Sequence, residues 1–244
     1  SAELPAQMAA FKMQQARWAR GSLQTARKLM GPLLRSDQPL RVKIMGLIHL
    51  TQYMVHPMIL IGMLLTLPMS LSHSPIFGWA PLLFAAAIGP PLMYFTAEEP
   101  GGPDWTERLK LIPGLILLGI GLSFNNSRAA FAGLLLRRKG TFQRTPKFAL
   151  KNRSGRWEHS QYALKQDLWT WGEMLLSFYG FFNVAFFSTQ GDLGFLPWLI
   201  VYAAGFLYVG GVTLTQTARK RSFLRLKQNS ANLLRKIQLP NENS

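Results

Sequence analysis

Cysteine is missing from the 244-residue chain, which excludes disulfides and thiolate metal sites. Acidic residues are scarce: 11 Asp plus Glu stand against 27 Lys plus Arg, a formal net charge of +16. The four aspartates, Asp37, Asp104, Asp167 and Asp192, are solitary, and no Asp-x-Asp pair occurs. Glu98, Glu99, Asp104 and Glu107 cluster around the Pro/Gly turn AEEPGGPDW without metal-ligand spacing. His49, His56, His73 and His159 show no ligand spacing either. A general base must reach the hydroxyl it activates, and the chain offers no credible candidate. Internal repeats and low-complexity tracts are lacking, as are an initiator Met and a signal peptide. The opening SAELPAQ reads like the middle of a longer protein.

What is present is apolar and comes in blocks: 48% of residues are hydrophobic and 12% aromatic. A bilayer core of about 30 Å needs about 20 apolar residues per helix. Four stretches meet that demand, at 46–69, 76–96, 169–187 and 195–215. A fifth, at 109–136, is interrupted by Asn125, Asn126 and Arg128. The basic residues decide its placement. Residues 1–45 carry eight Lys/Arg, residues 97–167 twelve and residues 216–244 seven, whereas the loops 70–75 and 188–194 carry none. Four spans put every basic residue on one side, which the positive-inside rule makes cytoplasmic. A fifth span would carry RRKGTFQRTPKFALKNRSGR outside. The expectation is therefore an all-α membrane protein with about four transmembrane helices and interfacial amphipathic helices, with 109–136 lying along the cytoplasmic interface. It divides into interfacial helices (1–45), a transmembrane hairpin (46–96), a cytoplasmic or interfacial segment (97–168), a second hairpin (169–215) and a basic tail (216–244) resting on anionic headgroups.

The stretch FKMQQARWARGSLQTARKLM, residues 11–30, is basic yet threaded with Phe, Met, Trp and Leu. On a helix Gln14, Arg17 and Trp18 stand at i, i+3 and i+4 and share a face. From pattern alone this is an interfacial anchor whose Lys and Arg meet lipid phosphates. QQARW also fits Q-x-x-R-W. With the surrounding ELPAQMAAFKMQQARWARGSLQTARKL and LRSDQPLRVKI, it resembles the signature of processive, membrane-embedded family 2 glycosyltransferases. It is most similar to the cellulose synthase-like mannan and glucan synthases. The resemblance implies that Trp18 stacks on the acceptor sugar and that Gln14 and Arg17 line the acceptor and donor-diphosphate site. The residue types suit those roles: Trp offers a flat apolar platform, Arg a planar fork for phosphate oxygens, and Gln both donor and acceptor.

FQRTPK, residues 142–147, resembles the gating loop of the same enzymes, F-x-V-T-x-K, with Phe142, Thr145 and Lys147 at the motif positions and Arg144 in place of Val. The resemblance implies that this loop closes over the nucleotide. Lys147 and Thr145 then neutralise and hydrogen-bond phosphate, and Phe142 covers the site. Within the first apolar stretch, His49, Gln52, Tyr53 and His56 follow i, i+3, i+4, i+7 spacing. Tyr53 and His56 are thus candidates for lining a channel, or for hydrogen bonds between helices. Tyr94, Trp169, Trp171 and Tyr179 are candidate rails for a sliding glycan or members of an interfacial aromatic belt.

The family's carboxylates precede Q-x-x-R-W and are not in this sequence. The expectation is a C-terminal portion, inactive alone, that lacks the α/β catalytic domain. It has no cofactor of its own, and a Mg or Mn ion belongs to that missing domain. Implied partners are UDP-glucose or GDP-mannose, a growing polysaccharide and the lipid bilayer, with no nucleic acid. The implied location is the plasma (inner) membrane, with basic loops and both termini cytoplasmic. The competing expectation is a non-enzymatic membrane scaffold or small-solute pore anchored by anionic lipids.

Overall fold

A computed structural model describes residues 5–72, 96, 105–136, 167–191 and 193–238, with side chains described as far as residue 230. Among these residues all regular structure is helical: α1 (Met8–Arg35), α2 (Leu40–Thr51), α3 (Val55–Leu71), α4 (Trp105–Leu109), α5 (Ile112–Gly121), α6 (Ser123–Leu135), α7 (Thr170–Gln190) and α8 (Leu196–Gln238). Short 3₁₀ turns lie at Gln52–Met54 and Leu193–Phe195.

Local chemistry sets the boundaries. The Ala, Gln, Arg and Lys of α1 are strong helix formers. The helix stops where the Ser36 amide and hydroxyl both turn back to the Leu33 carbonyl, at 3.3 and 2.7 Å. Pro39 then holds an extended backbone, and its carbonyl accepts from the amides of Val42 and Lys43 at the head of α2. Gly191, at φ 74°, ends α7 in the left-handed conformation that glycine adopts without a Cβ penalty.

Antiparallel α7 and α8 form a hairpin in which the Ser177 hydroxyl donates to the Ala203 carbonyl at 3.0 Å. Backbones approach most closely between α5 and α8. A Cβ on Gly205 would stand 2.9 Å from the Leu117 carbonyl oxygen, and one on Gly121 would collide with the Gly205 carbonyl. Small residues at a crossing allow such contact, as they do where helices associate without a hydrophobic drive. Met63, Ile120 and Phe206 form the core where α3, α5 and α8 meet, flanked by Leu60, Ile116, Leu176 and Tyr179. A second cluster joins α1 to α6 through Leu23, Ala26 and Ala130, with Leu50 and Tyr53 packed against it.

Two helical stretches are long and apolar enough to cross a bilayer, Leu40–Leu71 and Leu196–Ser230. They contain the expected span 46–69 and all of 195–215 except Phe195. The expected span 169–187 is the 21-residue α7, which is not apolar enough because its inward face carries Thr170, Glu173, Ser177 and Asn183. The expected span 76–96 lies outside the described residues except for Thr96. Four transmembrane helices are therefore not what the described residues display; the all-α architecture is.

Two further features add detail that the sequence did not give. Segment 109–136 packs along the other helices of the bundle. Ile120 sits in the core with Met63 and Phe206, and Gly121 lies against Gly205 and Val209. Two of its polar residues find partners inside the bundle, Asn125 on the Lys12 carbonyl and Asn126 on His56, so these two do not force the helix to a surface. The basic tail is not a separate helix but the C-terminal part of α8, 43 residues in one piece. No Gly or Pro occurs between Val212 and Gln238 to break it.

Candidate functional site

The site is built on α1. Its packing face is Lys12, Ala19, Leu23 and Ala26, all buried. A Cβ on Gly133 of α6 would meet the Arg20 carbonyl at 2.6 Å, so the two backbones run in contact. Gln14, Arg17 and Trp18 project from the opposite side of α1, as the 3.6-residue period requires once the packing face is fixed. Trp18 is 47% exposed. Gln14 and Arg17 are half-buried, and Gln14 Oε1 is enclosed without a hydrogen-bond partner among the described residues.

Three sets of polar contacts hold the N-terminal half of α1 on the bundle. The Met8 amide donates to Gln216 Oε1 at 2.7 Å, and Gln216 Nε2 donates to the Ala6 carbonyl at 3.4 Å. Lys12 Nζ lies 2.6 Å from Glu173 Oε1 on α7, with side chains 7% and 1% exposed. Lys12 Nζ also donates to Thr170 Oγ1 at 3.4 Å. Asn125 of α6 donates to the Lys12 carbonyl at 2.9 Å. Beside this junction the Arg128 guanidinium stacks 3.4 Å above the Trp169 ring, a cation–π contact that also reaches Phe124 at 6.0 Å. Further along, Arg27 donates to the Leu134 carbonyl at 2.9 Å and Ser22 to the Leu50 carbonyl at 3.1 Å.

Tyr53 and His56 are not placed as one stripe with His49 and Gln52. The 3₁₀ turn at Gln52–Met54 tightens the helix there. It leaves His49 and Gln52 exposed while Tyr53 and His56 turn toward the neighbouring helices. Asn125 Nδ2 donates to Asn126 Oδ1 at 3.1 Å, which turns Asn126 Nδ2 toward His56 Nε2 at 3.0 Å. Nε2 is then the acceptor and the ring proton sits on Nδ1, which is buried without a partner among the described residues. Of the aromatic rails, Tyr179 donates to the Leu64 carbonyl at 2.9 Å and Trp169 is occupied by Arg128. Trp171 is 60% exposed. Tyr94 and the gating-like residues Phe142, Thr145 and Lys147 lie outside the described residues.

Sequence reasoning passed over Lys12, Glu173 and Asn125 as members of the site. A signal was available: Glu173 is the lone acid in an apolar stretch, where an ionisable residue demands a partner. Among the described residues no three His, Asp or Glu side chains converge as metal ligands. Comparisons with protein-family models, with curated proteins and with solved structures gave no match.

Proposed function

We propose that this chain is the acceptor-binding and channel-forming portion of a membrane-embedded glycosyltransferase. It would extend a polysaccharide of β-glucan or mannan type from a nucleotide sugar, UDP-glucose or GDP-mannose, and pass it across the membrane. The observation that carries the reading is the presentation of the Q-x-x-R-W face. Gln14, Arg17 and Trp18 stand on the side of α1 opposite its packing face, Gln14 and Arg17 half-buried and Trp18 47% exposed, while the packing side is tied to the bundle by Lys12. Phe142, Thr145 and Lys147 contribute by motif alone.

A bilayer setting is supported by polar side chains that share the apolar interior and by large apolar side chains that face outward. Inside the bundle lie Glu173, Asn126, Ser127, Asn183 and Thr213, whereas Met58, Ile61, Leu175, Phe178 and Phe182 face outward. Only 11% of the apolar window in Leu40–Leu71 is buried, unlike the core helix of a water-soluble protein. Hydrocarbon is the solvent that rewards that arrangement. In this reading Trp18 stacks on the terminal sugar of the acceptor, and Arg17 and Gln14 hold phosphate and hydroxyl groups. The catalytic carboxylates and the metal they hold come from an α/β domain outside this chain. The basic end of α1, α6 and α8 faces the cytoplasm of the plasma (inner) membrane.

Radiolabelled UDP-glucose and GDP-mannose, offered separately to membranes holding the full-length protein, test the reading. Incorporation from one donor that falls when Trp18 is replaced by Ala supports it. The competing reading, a non-enzymatic scaffold or pore, draws on the basic part of α8, with Arg219, Arg221, Arg225 and Lys227. It expects no incorporation from either donor, and membrane affinity that tracks those four residues.

A further inference from the structure

We infer that the buried Lys12–Glu173 ion pair is the positioning device that sets the register of the Gln14–Arg17–Trp18 face against the bundle. The inference rests on the glycosyltransferase reading for its functional meaning, but the geometry stands independently. Lys12 lies two residues before Gln14 and points the other way, into the bundle, where its ammonium meets Glu173 Oε1 at 2.6 Å and Thr170 Oγ1 at 3.4 Å. Its own carbonyl accepts from Asn125 Nδ2 at 2.9 Å. One residue therefore ties α1 by its side chain to α7 and by its backbone to α6.

Apolar contacts alone define that register poorly. The packing face of α1 beyond Lys12 is Ala19, Leu23 and Ala26, and its other ties to the bundle, at Met8, Ser22 and Arg27, are neutral or solvent-exposed hydrogen bonds. A buried pair of opposite charges does not tolerate sliding, because a displacement of one residue leaves both charges without partners in a medium that cannot solvate them. Buried polar groups of this kind are best attested as devices that fix register rather than as sources of stability. The groups facing the pair are Thr170 on α7, Asn125 on α6 and, at longer range, Arg128 and Asp167. Neither Glu173 oxygen makes a well-aligned hydrogen bond among the described residues, so the carboxylate is held by the charge of Lys12 at 2.6 Å rather than by a hydrogen-bonded network.

The test uses the complete chain in lipid nanodiscs and exploits its lack of native cysteine. Spin labels at Lys28→Cys and Arg225→Cys report the distance from α1 to α8. Labels at Leu71→Cys and Thr189→Cys report the bundle itself. The variant K12M/E173M replaces the pair with apolar side chains, a change that often leaves a fold intact. The expected result is a broadened or shifted α1–α8 distribution with the α3–α7 distribution unchanged. The inference is overturned if both distributions match the parent, because the pair then does not set register. It is equally overturned if both change together, because the pair is then a general structural element. In full-length protein the same variant is expected to lower sugar incorporation on the order of a hundredfold, the effect of a misplacement of about 1 Å at a reacting group. If no incorporation is seen with the parent protein, the glycosyltransferase reading fails while the distance result still decides the positioning role.

Discussion

Asn126 on α6 donates to His56 on α3 across 3.0 Å, and six residues earlier in the chain Ile120 meets Met63, seven residues later on α3. The pairing fixes α5 and α6 antiparallel to α3. On the other side Leu117 and Ile120 lie against Gly205, and Gly121 against Val209, so α5 runs parallel to α8. The N-terminal end of α5 therefore lies at the same end of the bundle as Leu71 and Gly191, and α6 ends beside Arg20 and Arg27.

This direction predicts a sidedness that differs from an interfacial placement of 109–136. In right-side-out vesicles, single cysteines at Lys110 and Gly191 are expected to react with an impermeant maleimide from outside. Cysteines at Ser36 and Leu135 are expected to react only after permeabilisation. Reaction of Lys110→Cys only after permeabilisation would return the segment to the cytoplasmic interface.

The same hydrogen bond predicts an energetic coupling. Coupling energies between hydrogen-bonded side chains inside membrane bundles average about 0.6 kcal/mol and reach about 1.7 kcal/mol. A double-mutant cycle of Asn126→Ala and His56→Ala, read by unfolding in detergent, is expected to fall in that range. A coupling indistinguishable from zero would mean that the two side chains are not partners.

Glycine positions give a prediction of opposite signs. Gly121→Ala drives a Cβ into the Gly205 carbonyl, whereas a Cβ on Gly119 meets nothing within 4 Å. The first substitution is expected to cost about 1–3 kcal/mol. The second is expected to gain about 0.5–1 kcal/mol from helix propensity. Thermal unfolding of the two variants checks both, and equal effects would contradict the close α5–α8 crossing.

Asn183 is fully buried on α7, and neither amide atom has a partner among the described residues. An orphaned buried amide costs about 1–3 kcal/mol. Asn183→Leu, which keeps the branched shape with apolar ends, is expected to raise the unfolding temperature. A lowered temperature would show that the amide does make bonds in the folded bundle.

Much of this architecture was legible in the sequence. Apolar blocks located α3, α7 and the apolar half of α8, because helix length and hydropathy are local properties. The shared face of Gln14, Arg17 and Trp18 followed from helical spacing, and the structure places it opposite the packing face of α1. The course of 109–136 was not legible. Asn125 and Asn126 read as interruptions because their partners, Lys12 and His56, are 113 and 70 residues away. Only tertiary packing shows that a polar pair inside a bundle can be satisfied there. The Tyr53–His56 pair separated from His49 for a related reason: one tightened turn at Gln52–Met54 rotates what an ideal period would keep aligned.

The central claim is that Trp18 is the acceptor platform of a polymerising glycosyltransferase, and one comparison tests it most directly. Full-length protein and its Trp18→Ala and Trp18→Phe variants, matched for amount in membranes, are compared for incorporation of radiolabelled sugar from UDP-glucose and GDP-mannose. If Trp18 is that platform, Trp18→Ala loses about tenfold or more, as expected for about 1.4 kcal/mol of lost aromatic contact, and Trp18→Phe recovers part of it. Equal incorporation in all three proteins, or none in any of them, would contradict the claim.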